Sequence, residues 1–79
     1  MRKWRRRTTF VRAQLVTEWN IKSLARMAGG VVHDDEIHVQ FKGHTEVIGV
    51  GEYIVRAKEG GYYRCDPDYF EKMYEAVSL

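Results

Sequence analysis

Residues 53–74, YIVRAKEGGYYRCDPDYFEKMY, decide how the chain is read. Tyr53 to Ala57 alternates and carries β-branched and aromatic residues, Lys58 to Gly61 is a turn cluster, and Tyr62 to Cys65 returns as the partner strand of a hairpin. Asp66 is then placed to cap a helix, with Pro67 at the first helical position, where its missing N–H costs nothing. Asp68 falls in the first turn, where the helix dipole favours a carboxylate. Phe70, Met73, Tyr74 and Val77 recur at helical spacing and predict the apolar stripe.

Working towards the N-terminus, Ile37, Val39 and Phe41 alternate with His38, Gln40 and Lys42. Gly43 with His44 then suggests a tight turn into a strand from Thr45 to Ile48. Gly49 and Gly51 bracket Val50 and mark a bend or bulge. Val31 and Val32 read as a brief extended piece, and His33 to Glu36 as an exposed turn. Upstream, Asn20 is positioned to cap a short helix whose Ile21, Leu24, Ala25 and Ala28 share one face. Trp19 is placed to pack on Leu24 as a hydrophobic staple, and Gly29 and Gly30 end the helix. Thr8 to Thr17 reads as the first strand, with Val11, Ala13 and Leu15 on one face and Arg12 and Gln14 on the other, interrupted by Phe10 and Val16. The order β-α-β-β-β-β-α predicts an α+β fold, a small antiparallel-rich sheet of about five strands with two hairpins and two short helices. The glycines of the second hairpin also allow the sheet to curl towards a small open barrel.

The 79 residues suit one domain, which at this size buries only about 60% of its unfolded surface. An apolar fraction of 44% is enough for a packed core, which excludes a wholly disordered chain. Cys65 is the only cysteine, so no intramolecular disulfide forms and a reducing cytosol is expected. There is no apolar run of the roughly 18 residues that a membrane span requires, and the basic start lacks a signal peptide's apolar stretch. No membrane association is expected. Charge is unevenly placed: Arg2, Lys3, Arg5, Arg6, Arg7 and Arg12 precede every acid, leaving seven basic residues against all eleven acids in residues 13–79.

Residues 1–7 therefore read as a basic leader to a domain at 8–79. Arg2, Lys3, Arg5, Arg6, Arg7 and Arg12 suit phosphate neutralisation, and Trp4 suits base stacking. The same composition describes a solvated terminus, or a contact for an acidic protein. A second candidate is the tyrosine-rich hairpin. Tyr53, Tyr62, Tyr63 and Arg64 combine contact area with polar tips and could receive a protein partner or a second copy of the chain, although tyrosines are equally at home inside sheets. His33, Asp34, Asp35, Glu36 and His38 crowd potential ligands together, but consecutive residues of an extended segment point in different directions, so no metal is expected. His44 reads as a loop polar residue and Cys65 as a small buried hydrophobe. Gly49, Gly51, Gly60 and Gly61 lack the context of a phosphate loop. With no nucleophile–base pair in evidence, neither catalysis nor a cofactor is expected.

The segment GVGEYIVRAKEGGYYRCDPDYFEKMYE, Gly49 to Glu75, resembles a motif near the C-terminus of many short proteins encoded by tailed bacteriophages and prophages. Members read approximately as a Gly-Asp-Tyr-Ile-Ile strand, a Gly-Glu-Phe-Tyr strand, then Pro-Cys-Lys-Pro-Asp-Ile-Phe-Glu and Thr-Tyr-Glu. Gly51, Tyr53, Ile54, Tyr63, Cys65, Pro67, Asp68, Phe70, Glu71, Tyr74 and Glu75 match. Lys3 to Ala13 and Gln40 to Gly43 are similar to the family's first strand and first hairpin. Departures fall at Thr8, Arg12, Gly61, Arg64 and Asp66, mostly turn or exposed positions. The resemblance implies a phage origin and action in the cytoplasm of the bacterial host. The family has no established activity, so it supplies no catalytic residues. The leading expectation is thus a non-catalytic accessory protein that binds a host component, such as an enzyme or a defence system. The alternative is nucleic-acid binding through the arginine-rich N-terminus, and a virion or assembly component is third.

Overall fold

The computed structural model describes residues 1–6 and 9–77, which form an α+β fold. In chain order the elements are β1 (Arg2–Arg6), β2 (Thr9–Leu15), α1 (Ile21–Ala28), β3 (Val31–His33), β4 (Glu36–Phe41), β5 (His44–Gly49), β6 (Tyr53–Arg56), β7 (Tyr62–Cys65), α2 (Pro67–Met73) and β8 (Glu75–Ala76). One sheet has the order β7-β6-β2-β1-β8 and the other β3-β4-β5, and all pairs are antiparallel. Both hairpins read from the sequence are present, as β4–β5 and β6–β7. The basic N-terminal segment is built into the larger sheet rather than preceding the domain: Arg2 to Arg6 pairs with β2 on one side and β8 on the other.

Each face of the larger sheet covers a different core. Towards α2, Ala13, Tyr53, Val55 and Phe70 are buried, with Trp4, Val11, Leu15, Tyr63, Cys65 and Tyr74 packed around them. Aromatic contacts dominate here. Phe70 stacks between Tyr53 (centroids 4.2 Å) and Tyr74 (4.6 Å) and meets the edge of Trp4 at 4.9 Å. Such pairs add to area burial through their quadrupoles. On the opposite face, Ile54 joins Val16, Ile21, Leu24, Ala25, Ile37, Val39 and Ile48, so α1 and the three-stranded sheet close the second core. β6 is therefore buried on both faces, which explains its continuous apolar run.

The helix ends follow local chemistry, with two departures from the sequence reading. Asp66 caps α2 as expected, its carboxylate accepting from the Tyr69 amide at 3.1 Å. The predicted stripe stops early: Tyr74 is already extended, and Val77 donates its amide to the Lys3 carbonyl alongside β1. At α1 the capping oxygen belongs to Thr17, not Asn20. Thr17 Oγ1 accepts from the amides of Trp19 and Asn20. The Asn20 side chain instead accepts from the Thr17 amide and donates to the Leu15 carbonyl, tying the helix start to β2. This extra turn carries Trp19 outward to 89% exposure, so it forms no staple with Leu24. Gly29 ends α1 at φ +74°, a left-handed conformation that costs glycine little. Asp34 and Asp35, both at positive φ, make the two-residue turn between β3 and β4.

Glu46 links the two sheets. Its Oε1 accepts the Arg64 amide of β7 at 2.7 Å, while Oε2 lies 2.6 Å from His44 Nε2. Burial alone would raise this carboxyl, but the Arg64 amide and His44 more than offset it and hold the group below its ordinary value.

Two outcomes follow. Phe70→Ala removes the centre of the aromatic core and should cost about 3–5 kcal/mol in urea denaturation, most of the stability expected at this size; a loss under about 1 kcal/mol would contradict this core assignment. Because the folded-state pKa of Glu46 is depressed, its contribution is present above the unfolded pKa and is lost as pH falls through the folded value. The acid limb of a stability–pH curve should therefore be shallower for Glu46→Gln than for the parent chain.

Candidate functional site

The two cores do not cover the larger sheet equally. On the face that buries Ile54, the register places Gln14 opposite Ile54 and, two residues along, Arg12 opposite Arg56. Side chains on a strand return to the same face every second residue. Arg56 and Arg12 therefore share the face of Ile54 but emerge beyond the reach of the covering elements, where both are exposed. Lys3 lies opposite Arg12 on β1, and Tyr62 lies opposite Arg56 on β7. The result is a cross-strand row, Lys3–Arg12–Arg56–Tyr62. Phe10, one step along the same face, is 47% exposed and carries the Lys3 ammonium 4.4 Å from its ring centre.

Two cavities open along this row. The larger, about 490 Å³, lies where β2 and β6 part after their last pair, Arg12 and Arg56, and the chain turns into Ala57–Glu59. Lys3, Arg12, Arg56 and Lys58 line it together with Phe10, Tyr63 and Tyr74. The carboxylate among its described lining residues, Glu59, is held by Lys42 at 2.8 Å, which keeps the acid below its ordinary value. The smaller cavity, about 290 Å³, shares Arg12 and Arg56 and adds Met1, Met27 and Tyr62. Among the described residues, Lys3, Arg12, Arg56 and Lys58 form no ion pair. The site offers concentrated positive charge beside aromatic surface.

The N-terminal candidates separate accordingly. Lys3 and Arg12 join the row. Trp4 faces the α2 core, donating Nε1–H to the Ala13 carbonyl at 3.1 Å, and is not free to stack on a base. Arg2 shares Trp4's face, 5.8 Å from its ring centre, and Arg5 is paired with Glu75, Nε to Oε1 at 3.0 Å. Arg6 closes β1, and Arg7 lies outside the described residues. Arg56 and Lys58 escape a linear reading: the strand register sets Arg56 beside Arg12, and the turn after β6 brings Lys58 into the same cavity lining.

The tyrosine hairpin is not one surface. Tyr53 is 4% exposed and donates its hydroxyl to Glu71 at 2.9 Å; burial and then Glu71 push its pKa up to about 12. Tyr63 points to the same core, where burial raises its phenol, while Tyr62 points to the opposite one. Arg64 is exposed and engages Glu52. Burial also raises the Cys65 thiol, so helix proximity does not activate it. Each histidine lies near one carboxylate: His33 Nε2 is 3.3 Å from Asp34, His44 Nε2 hydrogen-bonds to Glu46, and His38 Nε2 is 4.0 Å from Glu36, beyond hydrogen-bond distance. Among the described residues no three metal-type ligands converge, and no helix is long and apolar enough to cross a membrane. Comparison of the chain with family models, curated proteins and solved structures finds no match.

Proposed function

We propose that this chain is a non-catalytic binding module that holds single-stranded nucleic acid on the uncovered basic half of its larger sheet. The observation that carries the reading is the in-register row of Lys3, Arg12 and Arg56 beside the exposed Phe10 ring. Like charges directly opposite one another across strands are destabilising. The row therefore opposes folding, and a face kept only for solvation would intersperse both signs. A phosphate backbone relieves that repulsion. A sheet with an aromatic platform suits unstacked bases, whereas a duplex is read by an element that enters a groove.

The resemblance to short phage proteins supports placing this binding in the cytoplasm of a bacterial host, with host nucleic acid or a host nucleoprotein as the target. A host protein partner was expected at the tyrosine hairpin, but Tyr53 is consumed by the core, which leaves the basic row as the better supported surface. Removing residues 1–7 does not test the reading, because it also takes β1 from between β2 and β8.

Point reversal of charge is the cleaner experiment. Fluorescence anisotropy with a labelled single-stranded oligonucleotide should show affinity falling with salt at a log–log slope of about −2, as three phosphate contacts give. Arg12→Glu and Arg56→Glu should each weaken binding about tenfold or more at low salt. Their thermal stability should hold or rise, because each removes like-charge repulsion. Salt-independent binding, or binding unchanged by either reversal, would overturn the proposal.

A further inference from the structure

The basic row and its cavities also constrain the size of the unit recognised. Among the described residues, only Arg12 and Arg56 line both cavities, so they stand between two spaces of unequal size. The larger space is in the range that holds a small organic ligand, about 300–1,000 Å³, and exceeds what a bare phosphate needs. Its lining is mixed: Lys3, Arg12, Arg56 and Lys58 supply cations, and the aromatic surface comes from Phe10 on the Ile54 face and from Tyr63 and Tyr74 on the Phe70 side. A ligand matching both parts is planar and apolar at one end and anionic at the other, which describes a nucleotide better than a carboxylate-rich peptide. On the far side of the two arginines, Tyr62 and Met27 border the smaller space, whose exposed lining is mainly polar. Tyr62 belongs to the same cross-strand row, next to Arg56.

From this arrangement, and resting on the nucleic-acid reading above, we infer that the site recognises a dinucleotide step: the linking phosphate lies on Arg12 and Arg56, one base stacks on Phe10 in the larger cavity, and the adjoining base occupies the smaller one beside Tyr62 and Met27. The Lys3 ammonium that covers the Phe10 ring is displaced towards phosphate when the base arrives. Its cation–π contact keeps the exposed ring from being bare in the free protein. Arginine suits the central position because its planar fork can offer two donors to phosphate oxygens. The aromatic wall tolerates any base, since every base has a π-face.

A length series tests the inference by calorimetry or NMR titration, using inorganic phosphate, a mononucleoside monophosphate, a linear dinucleotide and single-stranded oligonucleotides of four and eight residues. The dinucleotide should bind at least about tenfold more tightly than the mononucleotide, because it adds a second stacked base, and longer strands should add only a salt-sensitive increment. Phe10→Ala should weaken dinucleotide binding about tenfold while leaving inorganic phosphate binding unchanged, and Phe10→Trp should restore it. Half of Phe10 is already in water, so these variants keep the fold. Oligonucleotides that bind with the expected salt slope but show no break at two residues, or no response to Phe10→Ala, would overturn the dinucleotide inference and leave the nucleic-acid reading standing. Absence of binding by any oligonucleotide would overturn both.

Discussion

Three consecutive residues of β6, Tyr53, Ile54 and Val55, are buried although they point alternately to opposite faces of the sheet. That double burial is the constraint on which the rest of the molecule depends. Tyr53 and Val55 fix one face against Phe70 and α2, and Ile54 fixes the other against α1 and the three-stranded sheet. A chain of this size cannot extend two cores across a whole five-stranded sheet. Cover on the Ile54 side ends one pleat later, and Arg56 emerges where it ends. The basic surface is therefore the remainder left when the second core runs out, and its position follows from the register of β6 with β2.

The first strand shows how such a surface is held. Four of its five residues are basic, a composition with no intrinsic reason to enter a sheet. Trp4 supplies that reason. Its ring fills the gap beside Phe70 and Tyr53, its indole N–H is satisfied by the Ala13 carbonyl, and the hydrogen-bonded ladder to β2 does the rest. With Trp4 turned inward, Lys3 and Arg5 must turn outward. Glu75 neutralises Arg5 from β8, but among the described residues nothing neutralises Lys3, Arg12 or Arg56. Packing on one face thus sets charge on the other, and a residue that resembles a base-stacking tryptophan in sequence instead positions the cations.

Features governed by short-range chemistry were legible in the sequence. The alternation of Ile37, Val39 and Phe41, the turn at Gly43, the Asp66–Pro67 helix start and the Gly29 stop all appear where local rules place them. Features that depend on tertiary partners were not. β1 has no apolar alternation of its own, and β8 is two residues long and exists only by pairing with β1. Asn20 has the right chemistry for a cap, yet Thr17 takes that role because the Asn20 amide bridges back to Leu15. Of the candidate site, Lys3 and Arg12 could be named from sequence, whereas Arg56 joins them only through cross-strand register and Lys58 only through the turn that follows β6. The tyrosine cluster divides for the same reason: period-two geometry sends Tyr62 and Tyr63 to different cores.

The most direct test of the account is a backbone-amide NMR titration with a single-stranded oligonucleotide, read residue by residue. Shifts concentrated at Lys3, Phe10, Arg12, Arg56 and Lys58, with Glu71 and the exposed Trp19 undisturbed, are the predicted result. Shifts centred instead on Trp19 or the exposed valines of β3, or none at all, would contradict a nucleic-acid surface on the basic half of the sheet.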